Sequence, residues 1–474
     1  MKNNLPIALH PENPRYFIYK DKTEVLISSA EHYGGVINID FDYKKYLHYL
    51  AGMGMNYTRV FSGAYVEFEG AFDIKNNTLA PAEGKYLAPW KRVNEPGSYK
   101  EERKFDLAEW NPIYFNRLKD FVNLADQLDI IVEMTFFGSI YNDSNWQRNP
   151  FNPDNNVNNL PADLTWKNCN ITINREVLNF QKKMVEKIVR ELNPFNNVIY
   201  EIQNEPWTDH PVEKTRLLKT ADPEPDKGSW YKNRELASTE SLHWQDKIAK
   251  TIVETEKQME KKHLIAQNYT NFKHSIPHVS SSVSILNFHY AWPESVWMNY
   301  AWILPVSFDE SGFDGDNNIH YLKQAWQFIL AGGAVFNHLD YSFQVGEEEG
   351  TGIVEAPGGG SSALRKHLSI LKSFIDSFDL VKMAPDFNVV NHSPGLEWIA
   401  LSDQGNQYAI VLWGEHPSWI KLSLPAGKIN YTFVSVLTGE TLQEGSINNK
   451  ESKTKITLPG FEEMVAMKIT STHP

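Results

Sequence analysis

The chain has 474 residues, 41% hydrophobic and 22% charged, with a formal net charge of -13 at pH 7. That length exceeds the usual limit of one core, so a large domain plus a small one is expected, and the ordinary composition excludes a disordered chain. The acidic balance lacks the basic footprint of nucleic-acid binding, and the single cysteine, Cys169, excludes a disulfide framework and a zinc site built mainly from thiolates.

No apolar run near the N-terminus is long enough for a signal peptide, and none later approaches the ~18 residues of a spanning helix, so the chain reads as soluble with no membrane-spanning segment. Between residues 17 and 375 a short apolar strand, a loop and an amphipathic helix recur, which predicts parallel α/β architecture. The strands fall at 25–29, 57–61, 130–137, 198–203, 264–268, 284–289, 306–310 and 334–338. Eight such strands close a (β/α)8 TIM barrel. Helices are predicted over 41–53, 112–128, 174–191, 244–261, 319–330 and 361–378, from apolar stripes and from Ser, Gly and Asn-Pro punctuation. Long connections at 62–111, 138–173 and 207–240 fall after strands, where a barrel builds its active site, and predict a walled pocket or cleft. From about 383 short strands with turn residues predict a small antiparallel β-sandwich. The expected division is 1–380 for the catalytic barrel and 381–474 for the sandwich.

Val198-Ile199-Tyr200-Glu201-Ile202-Gln203-Asn204-Glu205-Pro206 is an apolar strand ending in Asn-Glu-Pro at the fourth barrel position. Pro206 ends the ladder, Glu205 faces the barrel mouth, and Asn204 offers an amide to a sugar hydroxyl. This segment resembles the fourth-strand signature of clan A glycoside hydrolases, which include family 5. Leu304-Pro305-Val306-Ser307-Phe308-Asp309-Glu310-Ser311-Gly312 resembles the clan's seventh strand, which carries the nucleophile. The resemblance implies a retaining β-glycosidase with Glu205 as acid/base and Glu310 as nucleophile. Such enzymes hold the two carboxyl groups about 5 to 5.5 Å apart. Asp309 is the competing nucleophile, on the opposite face by the strand's period of two.

Gly54-Met55-Asn56-Tyr57-Thr58-Arg59-Val60 resembles the clan's second strand, which implies that Arg59 orients the nucleophile; the plainer alternative is that it neutralises Glu201. Asn287-Phe288-His289-Tyr290 resembles the sixth strand, whose His and Tyr are separated by one residue in family 5 but adjacent here. Either His289 or Tyr290 faces the site, with His289 favoured. Glu31-His32-Tyr33, after the first strand, either contacts the sugar or forms a turn. Glu201 and Glu133 read as buried, hydrogen-bonded carboxylates, and Trp146, Trp207, Trp292 and Trp297 as sugar platforms or packing. The eighth strand, Phe336-Asn337-His338-Leu339-Asp340, departs from the clan in lacking a tryptophan. No His-Glu-x-x-His motif and no Gly-x-Ser-x-Gly elbow occurs, so neither a metal nor another cofactor is expected. The implied function is hydrolysis of β-glycosidic bonds, exo-acting or on short substrates. The alternatives are an endo-acting family 5-like β-glycanase and a non-catalytic carbohydrate-binding protein. Nothing in the sequence fixes the oligomeric state or the sugar.

Overall fold

The computed structural model describes residues 5–100, 102–209, 211–217, 233–415, 419–450 and 453–472. Eight parallel strands form the barrel: β1 (Leu26–Ala30), β2 (Tyr57–Phe61), β3 (Ile131–Gly138), β4 (Val198–Asn204), β5 (Leu264–Asn271), β6 (Ile285–His289), β7 (Val306–Ser311) and β8 (Val335–Leu339). Almost every residue of these strands is buried, because the inner face fills the barrel and the outer face meets the helices. Ladders run in sequence from β2 through to β8 and from β8 back to β1. Between β1 and β2 the ladder thins to a backbone bond from Asn56 N–H to Ile27 O at 3.4 Å, supplemented by the Asn56 side chain, which accepts from Ile27 N at 2.9 Å and donates to Val25 O at 3.0 Å.

The crossovers are α1 (Tyr43–Gly52), α2 (Pro112–Gln127), α3 (Arg175–Leu192), α4 (Thr239–Glu256), the short α5 (Glu294–Asn299), α6 (Asn318–Leu330) and α7 (Ser362–Ile375). Sequence punctuation sets their ends. Asn111 caps α2 with Pro112 at its first position, and Ser361 accepts from Leu364 N to start α7. The expected helix at 244–261 starts earlier, because Ser238 caps it through Ser241 N. It also ends earlier, where Glu256 turns back to accept from His263 N at 2.9 Å. Among the described residues no helix joins β5 to β6. Cys169 is fully buried, in line with a packing role.

A six-stranded antiparallel sheet follows the barrel, in the order β9 (Ala384–Pro385), β11 (Leu396–Ser402), β12 (Gln407–Gly414), β17 (Met464–Thr472), β14 (Gly427–Ser435) and β15 (Thr441–Asn449). A three-stranded sheet of β10 (Val390–His392), β13 (Trp419–Leu422) and β16 (Thr454–Thr457) packs against it. Alternation along the large sheet divides two cores. Tyr408, Ile410 and Leu412 belong to the sandwich interior, while Ala409 and Val411 join the barrel's core beside α6. Val465, Met467 and Ile469 alternate with Met464 and Ala466 in the same way. The fold is therefore a (β/α)8 barrel followed by a β-sandwich.

Candidate active site

Two neighbouring strands carry an extra residue toward their C-terminal ends: β5 between Asn268 and Thr270, and β7 between Phe308 and Ser311, where the register shifts against both β6 and β8. An extra residue breaks the period of two, so consecutive side chains can face one side. On β7 both Asp309 and Glu310 consequently turn inward, each contacting Arg59, which corrects the expectation that Asp309 lies on the opposite face. His289 and Tyr290 both reach the site for a related reason. Tyr290 adopts a left-handed backbone at φ 50°, and its hydroxyl donates to Glu310 Oε1 at 2.8 Å.

Glu205 ends β4 in the left-handed region as well, at φ 48°, a conformation that costs a non-glycine residue about 1 kcal/mol or more. Its peptide is gripped at both ends, by Asn268 Oδ1 accepting from its N–H at 3.0 Å and by Ser139 Oγ donating to its carbonyl at 2.6 Å. The carboxyl contacts His289 Nδ1 at 2.9 Å and accepts from the Tyr141 hydroxyl at 2.8 Å. Glu310 accepts from the Tyr33 hydroxyl at 2.7 Å and from Arg59 Nη1 at 3.3 Å, with His289 Nδ1 also 3.3 Å away. One oxygen of Glu205, one of Glu310 and a ring nitrogen of His289 all lie within 4.8 Å of one another.

Arg59 contacts the carboxylates of both readings weighed for it. Its guanidinium pairs with Glu201, donates to Asn204 Oδ1 at 2.9 Å and holds Glu310. Asn204 completes a chain by donating to the Tyr141 hydroxyl at 3.0 Å. Deeper in the barrel, Asn287 donates to Glu133 at 2.8 Å and to Glu201 at 3.0 Å.

The two catalytic candidates are driven apart electrostatically. Burial raises the Glu205 carboxyl above its usual range and the Glu310 charge adds to this, although the His289 hydrogen bond opposes it. Burial would raise Glu310 too, but His289, Arg59 and the Tyr33 hydroxyl outweigh it and hold that carboxyl well below the usual range. Burial alone would lower the His289 imidazole, yet the carboxylates of Glu310 and Asp309 keep it cationic. Opposite protonation preferences in one cavity suit acid/base work. The Glu205, His289 and Glu310 atoms, and separately those of Glu133, Glu201 and Asp309, are spaced to ligate a cation. Arg59 already lies 3.3 Å from Glu310, 3.5 Å from Asp309 and 4.0 Å from Glu133, so its charge stands where an ion's would.

A cavity of about 250 Å³ opens over the pair. His32, Asn204, Trp207 and Tyr290 line it, and Trp207 meets His289 edge to face at 5.6 Å. Glu31 does not reach the cavity. It accepts from Gly34 and Gly35 N–H at 2.9 and 2.8 Å and from Thr78, which is the turn role. Trp292 stands outside, against Phe272 and under Lys273, while Trp146 is buried in packing and Trp297 meets Phe387 of the sandwich. Tyr33, named with His32 as a sugar contact, also lines the cavity, whereas Tyr141, Glu67, Phe72 and Phe313 line it unforeseen. The connection at 207–240 lies partly outside the described residues.

No protein-family model and no curated protein matches the chain. Solved structures match in fold. A family 5 glycoside hydrolase from Bacteroides vulgatus ATCC 8482 superposes with a TM-score of 0.65 at 11% identity, covering 99% of this chain and 94% of its own. A candidate glycoside hydrolase from the same organism gives 0.67 at 13%, covering 99% and 83%. Another glycoside hydrolase gives 0.65 at 11%, covering 99% and 97%. The chain thus shares the fold of these structures over nearly its whole length, with the barrel and the C-terminal sandwich together.

Proposed function

We propose that the chain is a retaining β-glycosidase that removes sugars from chain ends or cleaves short substrates. The observation that carries this reading is the pair Glu205 and Glu310, with oxygens within 4.8 Å of each other and opposite protonation preferences. Retaining enzymes separate these groups by about 5 to 5.5 Å, whereas inverting ones leave about 6.5 Å or more for a water.

In the first step Glu310 attacks the anomeric carbon and forms a glycosyl ester while Glu205 gives its proton to the departing glycosidic oxygen. In the second, Glu205 takes a proton from water, the water oxygen attacks the anomeric carbon, and the ester bond breaks to restore the Glu310 carboxylate. Arg59, Tyr33 and Tyr290 hold Glu310 in position through both steps. Preference for chain ends rests on the aromatic wall. Phe72 meets Tyr141 at 4.8 Å and Phe313 at 6.4 Å between ring centroids, and Phe313 meets Tyr290 at 6.2 Å. That ring of contacts leaves room on the scale of one sugar and disfavours an open endo cleft. Residues 1–380 carry the chemistry in this reading, and residues 381–474 buttress the barrel.

The test is hydrolysis of a panel of aryl β-glycosides by wild type, Glu205→Ala and Glu310→Ala with azide added. We expect a β-glycosyl azide from Glu205→Ala and an α-glycosyl azide from Glu310→Ala. A wild type inert on every glycoside would overturn the reading in favour of a sugar-binding protein.

A further inference from the structure

Glu67 is a third carboxyl group in the cavity, and neither the catalytic pair nor the barrel's core needs it. It lies in the connection after β2, only 3% exposed, and lines the same space as Glu205 and Glu310. Its backbone is fixed by its N–H donating to Leu79 O at 3.0 Å and its carbonyl accepting from Arg148 Nη1 at 3.0 Å. Asn77 donates to one carboxyl oxygen and the Tyr65 hydroxyl to the other at 3.3 Å, while Asn145 steadies Tyr65 at 3.0 Å. No guanidinium or ammonium is paired with this carboxyl among the described residues, an arrangement that structural burial rarely leaves. Beside it stands His32, with Nε2 3.8 Å from Glu67 Oε1 and a buried Nδ1 that finds no partner among the described residues. Burial pushes Glu67 up to about 8, with Asn77 and Tyr65 opposing, so near neutrality it keeps a proton to donate as well as oxygens to accept. Burial pushes His32 down to about 4, leaving a neutral ring. Four carboxyl groups, Glu67, Glu205, Glu235 and Glu310, line the cavity, and no Lys or Arg does among the described residues.

Building on the glycosidase reading, we propose that Glu67 is the specificity-determining residue of this cavity. With His32 it grips one ring hydroxyl of the bound sugar. A hydroxyl held by a buried polar pair is missed when absent, because the pair is then left unsatisfied.

The experiment compares wild type, Glu67→Gln and Glu67→Ala on an aryl β-glycoside that wild type cleaves and on its monodeoxy analogues. In wild type, removal of one particular hydroxyl lowers kcat/KM on the order of 100-fold or more. In Glu67→Ala that ratio collapses toward unity, while Glu67→Gln, which keeps a donor and an acceptor, retains part of it. Monodeoxy ratios unchanged in Glu67→Ala would overturn the proposal. The isosteric Glu67→Gln guards against loss of fold, which circular dichroism checks in both variants. If wild type cleaves no glycoside, the glycosidase reading is what fails. Calorimetric titration with neutral monosaccharides then decides Glu67 separately, since equal affinity in wild type and Glu67→Ala overturns its role.

Discussion

Glu205 and Glu310 have similar surroundings and opposite charge preferences because their partners differ. Glu205 shares one imidazole and one phenol, while Glu310 adds a guanidinium and a second phenol. Activity should therefore fall on the alkaline side as Glu205 loses its proton, and on the acid side only where Glu310 gains one. In Glu205→Gln the alkaline limb of the kcat/KM profile should vanish for substrates with good leaving groups, while poor leaving groups lose about 100- to 10,000-fold. A surviving limb in that variant would reassign the acid. Glu67 makes a stability prediction of definite sign. Its folded-state value, about 8, lies above that of an unfolded carboxyl, so its contribution is present in acid and is lost as pH rises through the folded value. Thermal midpoints of wild type and Glu67→Gln should diverge between about pH 5 and pH 8, wild type losing ground as pH rises. At this scale the two candidate acids were legible because each ends an apolar strand. Glu67 and Tyr141 were hidden, since the loops that carry them have no period to read.

The strands explain which side chains meet. Arg59 on β2 links β4, through Glu201 and Asn204, to β7, through Glu310. Replacing it with Ala would strand buried carboxylates, and loss of one partner of such a network costs about 3 to 5 kcal/mol. Chemical denaturation of Arg59→Ala should show a loss of that order, and a loss under about 1 kcal/mol would mean that the cluster is held neutral by protons instead. All eight strands could be located from alternation and turn residues, to within a residue at most ends and three at the end of β5. What alternation could not supply was the facing of Asp309 and Tyr290, because a bulge and a left-handed residue both suspend the period of two. The adjacency of His289 and Tyr290, read as a departure from family 5, is accommodated by that backbone turn without losing either side chain.

Across the whole molecule, the sandwich and barrel share a continuous apolar junction. Ile399, Leu401, Val411 and Ala466 pack into the barrel's core, and Trp297 meets Phe387 at 5.1 Å between ring centroids. Residues 1–380 made alone should bind a hydrophobic dye and melt below the full chain, whereas an unchanged midpoint would show that the barrel does not depend on its partner. The sequence disclosed two units through a change of element type, but not the outer face of the second sheet, whose small apolar residues resemble any strand interior. The seam between β1 and β2 gives the barrel something a fully laddered ring lacks, which is a pair of ends. Native fluctuations begin where hydrogen bonds are fewest, so amide exchange should open there first. Arg59, which donates to Glu310, rides on one of those two ends.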